Sequence, residues 1–118
     1  MCLTTFQKTP YIAEKDITVY KGLFKVGERI ISPFMGFPYT LNKLYQTNFR
    51  ISPRTPLLPK YIYEGFHGYR NKKYAIFQWL EVYKCIIPKG SLYYISSDQE
   101  EIVSNQIIVK RKLWFNKF

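Results

Sequence analysis

The chain has 118 residues, of which 47% are hydrophobic, 19% aromatic and 22% charged. Disorder is thereby excluded as its main state, because this much apolar side chain can offset the entropy of ordering. The length fits one domain (1–118) with one core that buries roughly two-thirds of the surface exposed by the unfolded chain. Eighteen Lys and Arg against 8 Asp and Glu give a net charge of +10, a field that attracts phosphates and acidic protein surfaces alike. The same charge also fits a lysine-coated surface that does no more than maintain solubility.

Residues 1–15 read as an N-terminal arm, with Pro10 keeping its start extended. Ile17 to Phe24 is rich in β-branched and aromatic residues and is followed by Arg29-Ile30-Ile31, so a hairpin is expected. Pro33, Gly36 and Pro38, then Pro53, Pro56 and Pro59, make 32–60 a loop-rich segment with a short strand near Leu41 to Tyr45. Tyr61 to Tyr69 begins as a strand and breaks at its glycines. Asn71 is placed to cap a helix over roughly 71–81, in which Tyr74, Ala75, Phe77 and Leu80 fall mostly on one side. Strands follow at 82–87, 92–95, 101–104 and 106–112, separated by Pro-Lys-Gly-Ser and Ser-Ser-Asp turns. The expected fold is α+β: one domain, a mostly antiparallel sheet, one main helix and a long Pro-rich loop.

Several chemistries are excluded. His67 is the only histidine, and with Cys2 and Cys85 it cannot make a four-ligand zinc site. Neither a phosphate-binding glycine loop nor a nucleophile elbow is present. No apolar run nears the roughly 18 to 20 residues that span a bilayer, and the first residues do not form a signal peptide. A soluble, cytoplasmic protein without metal or membrane partner is expected.

Two basic clusters stand out. Lys110, Arg111 and Lys112 lead into Trp114 and Phe115, a mixture of cations and aromatics suited to clamping phosphates and stacking bases. Arg70, Lys72 and Lys73 sit at the start of the expected helix, where cations oppose the helix dipole. Arg50-Ile51-Ser52-Pro53-Arg54-Thr55-Pro56 has the spacing of a basic, proline-rich ligand.

A wider constellation runs in order from Val19-Tyr20-Lys21-Gly22-Leu23 through Glu64-Gly65-Phe66-His67-Gly68-Tyr69 and Ile86-Ile87-Pro88-Lys89-Gly90-Ser91 to Gln99-Glu100-Glu101-Ile102-Val103. In this order it resembles a reduced mono-ADP-ribosyltransferase domain. The resemblance implies Glu101 as catalytic carboxylate, Gln99 orienting the acceptor, and Tyr20, Lys21 and His67 near an NAD cofactor. Lys21 stands where that family carries arginine and so lacks its bidentate fork, and His67-Gly68 replaces the family's serine-rich strand.

The leading expectation is a non-catalytic binding protein without cofactor. It engages an acidic partner, whether nucleic acid, nucleotide or host protein, through Arg70, Lys72, Lys73, Lys110, Arg111, Lys112 and Trp114. Phage and mobile-element accessory proteins, inhibitors of host defence among them, have a similar composition. The alternatives are the NAD-dependent transferase and a protein-interaction module using 32–60 as its contact surface.

Overall fold

The structure is a computed structural model that describes residues 6–32, 36–57, 59–76 and 81–113. Its strands are β1 (Tyr11–Ile12), β2 (Ile17–Val26), β3 (Arg29–Ile31), β4 (Pro38–Tyr39), β5 (Leu44–Gln46), β6 (Arg50–Ser52), β7 (Tyr61–Glu64), β8 (Phe66–Tyr69), β9 (Glu81–Ile87), β10 (Leu92–Ile95), β11 (Glu101–Ser104) and β12 (Gln106–Lys112). The main sheet is antiparallel throughout and ordered β1-β10-β11-β8-β2-β9-β12-β5, with β3 and β4 attached beside β2. β6 and β7 form a separate hairpin.

The expected strands at 17–24, 29–31, 82–87, 92–95, 101–104 and 106–112 all form, because each run is rich in Ile, Val, Tyr and Phe. The loop-rich segment carries three short strands, of which β5 lies slightly later than expected. The described part of the N-terminal arm lies along the sheet edge. Phe6 bridges to Ser96, Gln7 exchanges hydrogen bonds with Tyr93 and Ile95, and β1 pairs with β10.

The helix expected over 71–81 does not form as such. Asn71 does cap, accepting from Lys73 N at 3.0 Å, but what it starts is a single 3-10 turn over Lys72–Ala75, and Ile76 is already extended. Only Ala75 of that turn is buried and Tyr74 is 42% exposed, so no apolar face offsets the cost of nucleating a helix. β9 begins at Glu81, and 77–80 lie outside the described residues.

Asn105 alone separates β11 from β12, although four steps of the sheet lie between these strands. One residue can join them only because the sheet curls over its own face. That closure brings Val19 and Leu23 of β2, Phe66 of β8, Cys85 and Ile87 of β9, Ile102 of β11 and Val109 of β12 into one core. A second cluster lies on the outer face of β10 and β11. Tyr94 and Val103 meet Ile62, Phe49 and Ile51 of the β6–β7 region and Phe6 of the arm there. Residues on both faces of β11 are therefore buried, whereas on β9 two of the three outward positions, Lys84 and Ile86, are only partly so and Val82 is buried.

Two glycines permit this packing. A Cβ on Gly65, whose φ is +152°, would lie 2.5 Å from Val103 Cγ1, and one on Gly68 would lie 2.8 Å from Val19 Cγ2. The β7–β8 corner thus presses against β11 at a distance no side chain allows.

Candidate functional site

Strand register sorts the singled-out residues onto two faces. Directly opposed residues of an antiparallel pair share a face. Tyr69 opposes Tyr20, Tyr20 opposes Lys84 and Lys84 opposes Arg111, so one outward row crosses β8, β2, β9 and β12. Glu101 opposes Tyr69 and extends the row onto β11. Val19, Cys85 and Val109, one residue along, form the inward row.

A β-bulge shapes the basic end. Val109 pairs with Cys85 but Arg111 with Lys84, so Lys110 and Arg111 together oppose one residue of β9. A regular ladder would set Arg111 against the buried Tyr83. The extra residue instead aims both cations to the Lys84 side. It also brings Lys112 into register with Tyr83, where its Nζ lies 3.1 Å from Glu81 Oε1. Tyr83 donates to the other oxygen of that carboxylate at 3.3 Å, and burial followed by the Glu81 charge pushes its phenol up to about 12.

The second basic cluster meets the other end. The 3-10 turn packs against β2 and β8, and the Tyr74 ring lies 6.3 Å from that of Tyr69, tilted by 36°. Lys73 Nζ sits 5.0 Å from the Tyr74 centroid, a cation–π contact. Arg70 and Lys72 are exposed beside it. The 3-10 turn and the bulge thus mark the two ends of a row of three tyrosines followed by three cations. Lys84 and the tyrosines' part in this surface are not evident in the sequence alone. The available signal is that Lys84 is the one cation within the apolar run Val82 to Ile87. Trp114 lies outside the described residues.

Lys84 and Arg111, directly opposed, are like charges across a ladder, a pairing that costs stability. Among the described residues neither has an acidic partner.

The residues carried by the transferase resemblance divide differently. Lys21 shares the inward face of β2 with Val19 and Leu23, and its Nζ donates to the His67 carbonyl oxygen. Burial holds the Lys21 ammonium below its ordinary pKa, opposed by Cys85 and Glu101. His67 Nδ1 lies 3.1 Å from Glu101 Oε1, with the two side chains 20% and 14% exposed. Burial lowers the His67 pKa, and the hydrogen bond from His67 Nδ1 to the Glu101 carboxylate works against it. Lys21, His67 and Glu101 therefore converge. Tyr20 faces outward in the tyrosine row, and Gln99 is exposed in the β10–β11 turn at φ +63°. Phe66, adjoining His67, fills the inward side, packed edge-on to Phe37 at 6.0 Å and near Tyr39 at 6.4 Å.

Cys85 is fully buried with its thiol pushed up to about 12 by burial, which makes it an inert core residue. Cys2 lies outside the described residues. A polar hollow of about 320 Å³ opens elsewhere, lined by Gln46, Thr47, Asn48, Asn105 and Gln106. No helix among the described residues is long and apolar enough to cross a membrane, and no group of three or more metal-ligating side chains occurs among them.

Comparison of the chain with family models, curated proteins and solved structures found no match.

Proposed function

We propose that the protein is a non-catalytic binding protein that engages an acidic partner through the outward face of β8, β2, β9 and β12. The observation that carries this reading is the bulge. It turns Lys110 and Arg111 together toward Lys84, so that three cations crowd one outward patch against their mutual repulsion. A sheet selected for stability alone would relieve that crowding. A surface that receives an anion gains from it, since the incoming charge cancels the repulsion at the moment of binding. Arg70, Lys72 and Lys73 flank the aromatic end and extend the positive field.

The test is a salt titration of binding to labelled polyphosphate. Neutralising Lys84, Lys110 and Arg111 should weaken binding and flatten the plot of log K against log salt by about 2, for three lost phosphate contacts. Neutralising Lys8, Lys25 and Lys43, which lie off this face, is the control. Equal losses from both triple variants would mean a diffuse charge effect and no site.

A second reading, an NAD-dependent mono-ADP-ribosyltransferase, is favoured by the convergence of Lys21, His67 and Glu101. It requires NAD to raise the melting temperature, an effect that Lys21→Ala abolishes and Glu101→Gln spares, together with transfer activity that Glu101→Gln removes.

A further inference from the structure

Resting on the acidic-partner reading, we propose that the partner is single-stranded nucleic acid, bound across the strands with bases against Tyr74, Tyr69 and Tyr20 and phosphates against Lys84, Lys110 and Arg111. The order of side chains favours this occupant over others. An acidic protein would engage the cations through carboxylates and could bury the three phenol rings, but it offers no repeated flat faces to stack on them. A duplex keeps its base faces stacked inside and presents phosphates and base edges, so it has no face to stack on a tyrosine. A free nucleotide has one base face, whereas an unpaired strand offers several flat π-faces and several phosphates side by side, matching three tyrosines and three cations. Aromatic side chains on a sheet surface are suited to splayed bases.

The spacing suits the assignment. Tyr20 and Lys84 lie on adjacent strands, about 4.8 Å apart, so the base and the phosphate of one nucleotide can address both. Tyr20 and Tyr69 are half-buried, which fixes the rings by their flanks before any ligand arrives, and a tyrosine has little rotamer freedom to lose. Lys73 over Tyr74 sets a further cation beside the last ring. The carboxylate on this row, Glu101, is bonded to His67 and 14% exposed, so it opposes a phosphate chain only at the far end. Tyrosines on one half of the row and cations on the other give the two ends of the site different characters. The bound chain would run across β8, β2, β9 and β12, stacked at the Tyr74 end and held by its phosphates at the β12 end.

The test measures fluorescence polarisation of the whole chain with a labelled thymidine oligomer, a uridine oligomer, an abasic oligomer of the same phosphate count, a duplex and polyglutamate. A thymidine or uridine oligomer should bind at least about 5-fold more tightly than the abasic one, the lower range of one stacked base. Tyr74→Ala should cut that ratio by about 5-fold while leaving abasic binding unchanged. Tyr74 is exposed, so the variant keeps its fold, and Tyr20→Leu, which preserves apolar bulk, repeats the test at the centre of the row. If the abasic oligomer or polyglutamate binds as tightly as the thymidine and uridine oligomers, or the duplex binds more tightly, the single-strand assignment fails while the acidic-partner reading stands. If none of these polyanions binds, both fail.

Discussion

The two halves of the sheet share one ladder and one core but treat their outer faces in opposite ways. Over β10 and β11 the β6–β7 hairpin and Phe6 seal the outer face, so that Ile102 and Val103, consecutive in sequence, are both buried on opposite sides. Over β2, β9 and β12 the outer face carries Tyr20, Lys84, Lys110 and Arg111. In the sealed half, residues on either face contribute to stability. In the basic half the inner face carries the fold, and the outer one can be arranged for binding at a small cost to it.

The largest expected effect lies in the sealed half. Gly65→Ala forces a Cβ to within 2.5 Å of Val103 Cγ1 at a backbone conformation that side chains rarely adopt, and should cost about 2–4 kcal/mol. Denaturant unfolding measures it. In the Val103→Ala background the same substitution should cost less, since the obstructing methyl is gone, and purely additive losses would show that the overlap is not the cause.

A smaller effect sits at the junction of the halves. His67 is held below its ordinary pKa of 6.5 by burial. As pH falls through about 6.5, the unfolded chain takes up the proton before the folded one does, so stability declines from there down to the folded pKa and then levels off. Melting temperature followed from neutral into mildly acid buffer should show this fall. His67→Gln should flatten it, and an unchanged slope would assign the acid sensitivity elsewhere.

The smallest effect belongs to the basic half and has the opposite sign. Lys84→Thr keeps a β-favouring side chain and removes the repulsion with Arg111, so stability should rise by up to about 0.5 kcal/mol. Polyphosphate binding should weaken in the same variant. A clear loss of stability would mean that Lys84 has a structural role and would blur the contrast between the halves.

The same contrast explains what could be read from the sequence. Strands were legible wherever β-branched and aromatic residues ran together, as at 17–24, 82–87 and 106–112, because local preference and tertiary pairing agree there. The helix at 71–81 misled because Asn71 is a sound cap, yet burial of Ala75 alone gave the turn after it nothing to grow on. The cations Lys110 and Arg111 could be named as a cluster, but alternation would have sent one of them inward. Only the pairing with β9 reveals the bulge, and only pairing brings Lys84 and the tyrosines beside it. Lys21, His67 and Glu101, singled out by a resemblance, do come together through long-range register. Spacing along the chain alone could not have established that.

The bulge has one more consequence, for how this chain tolerates a change in length. Lys110 is the residue in excess: without it, Val109 would still face Cys85, Arg111 would still face Lys84, and Lys112 would still meet Tyr83. A deletion within a strand normally inverts every side chain beyond it. Here the deletion of Lys110 would leave the phase of β12 intact and remove only a charge and a local twist, making position 110 a seam where a codon can come or go without disturbing the core.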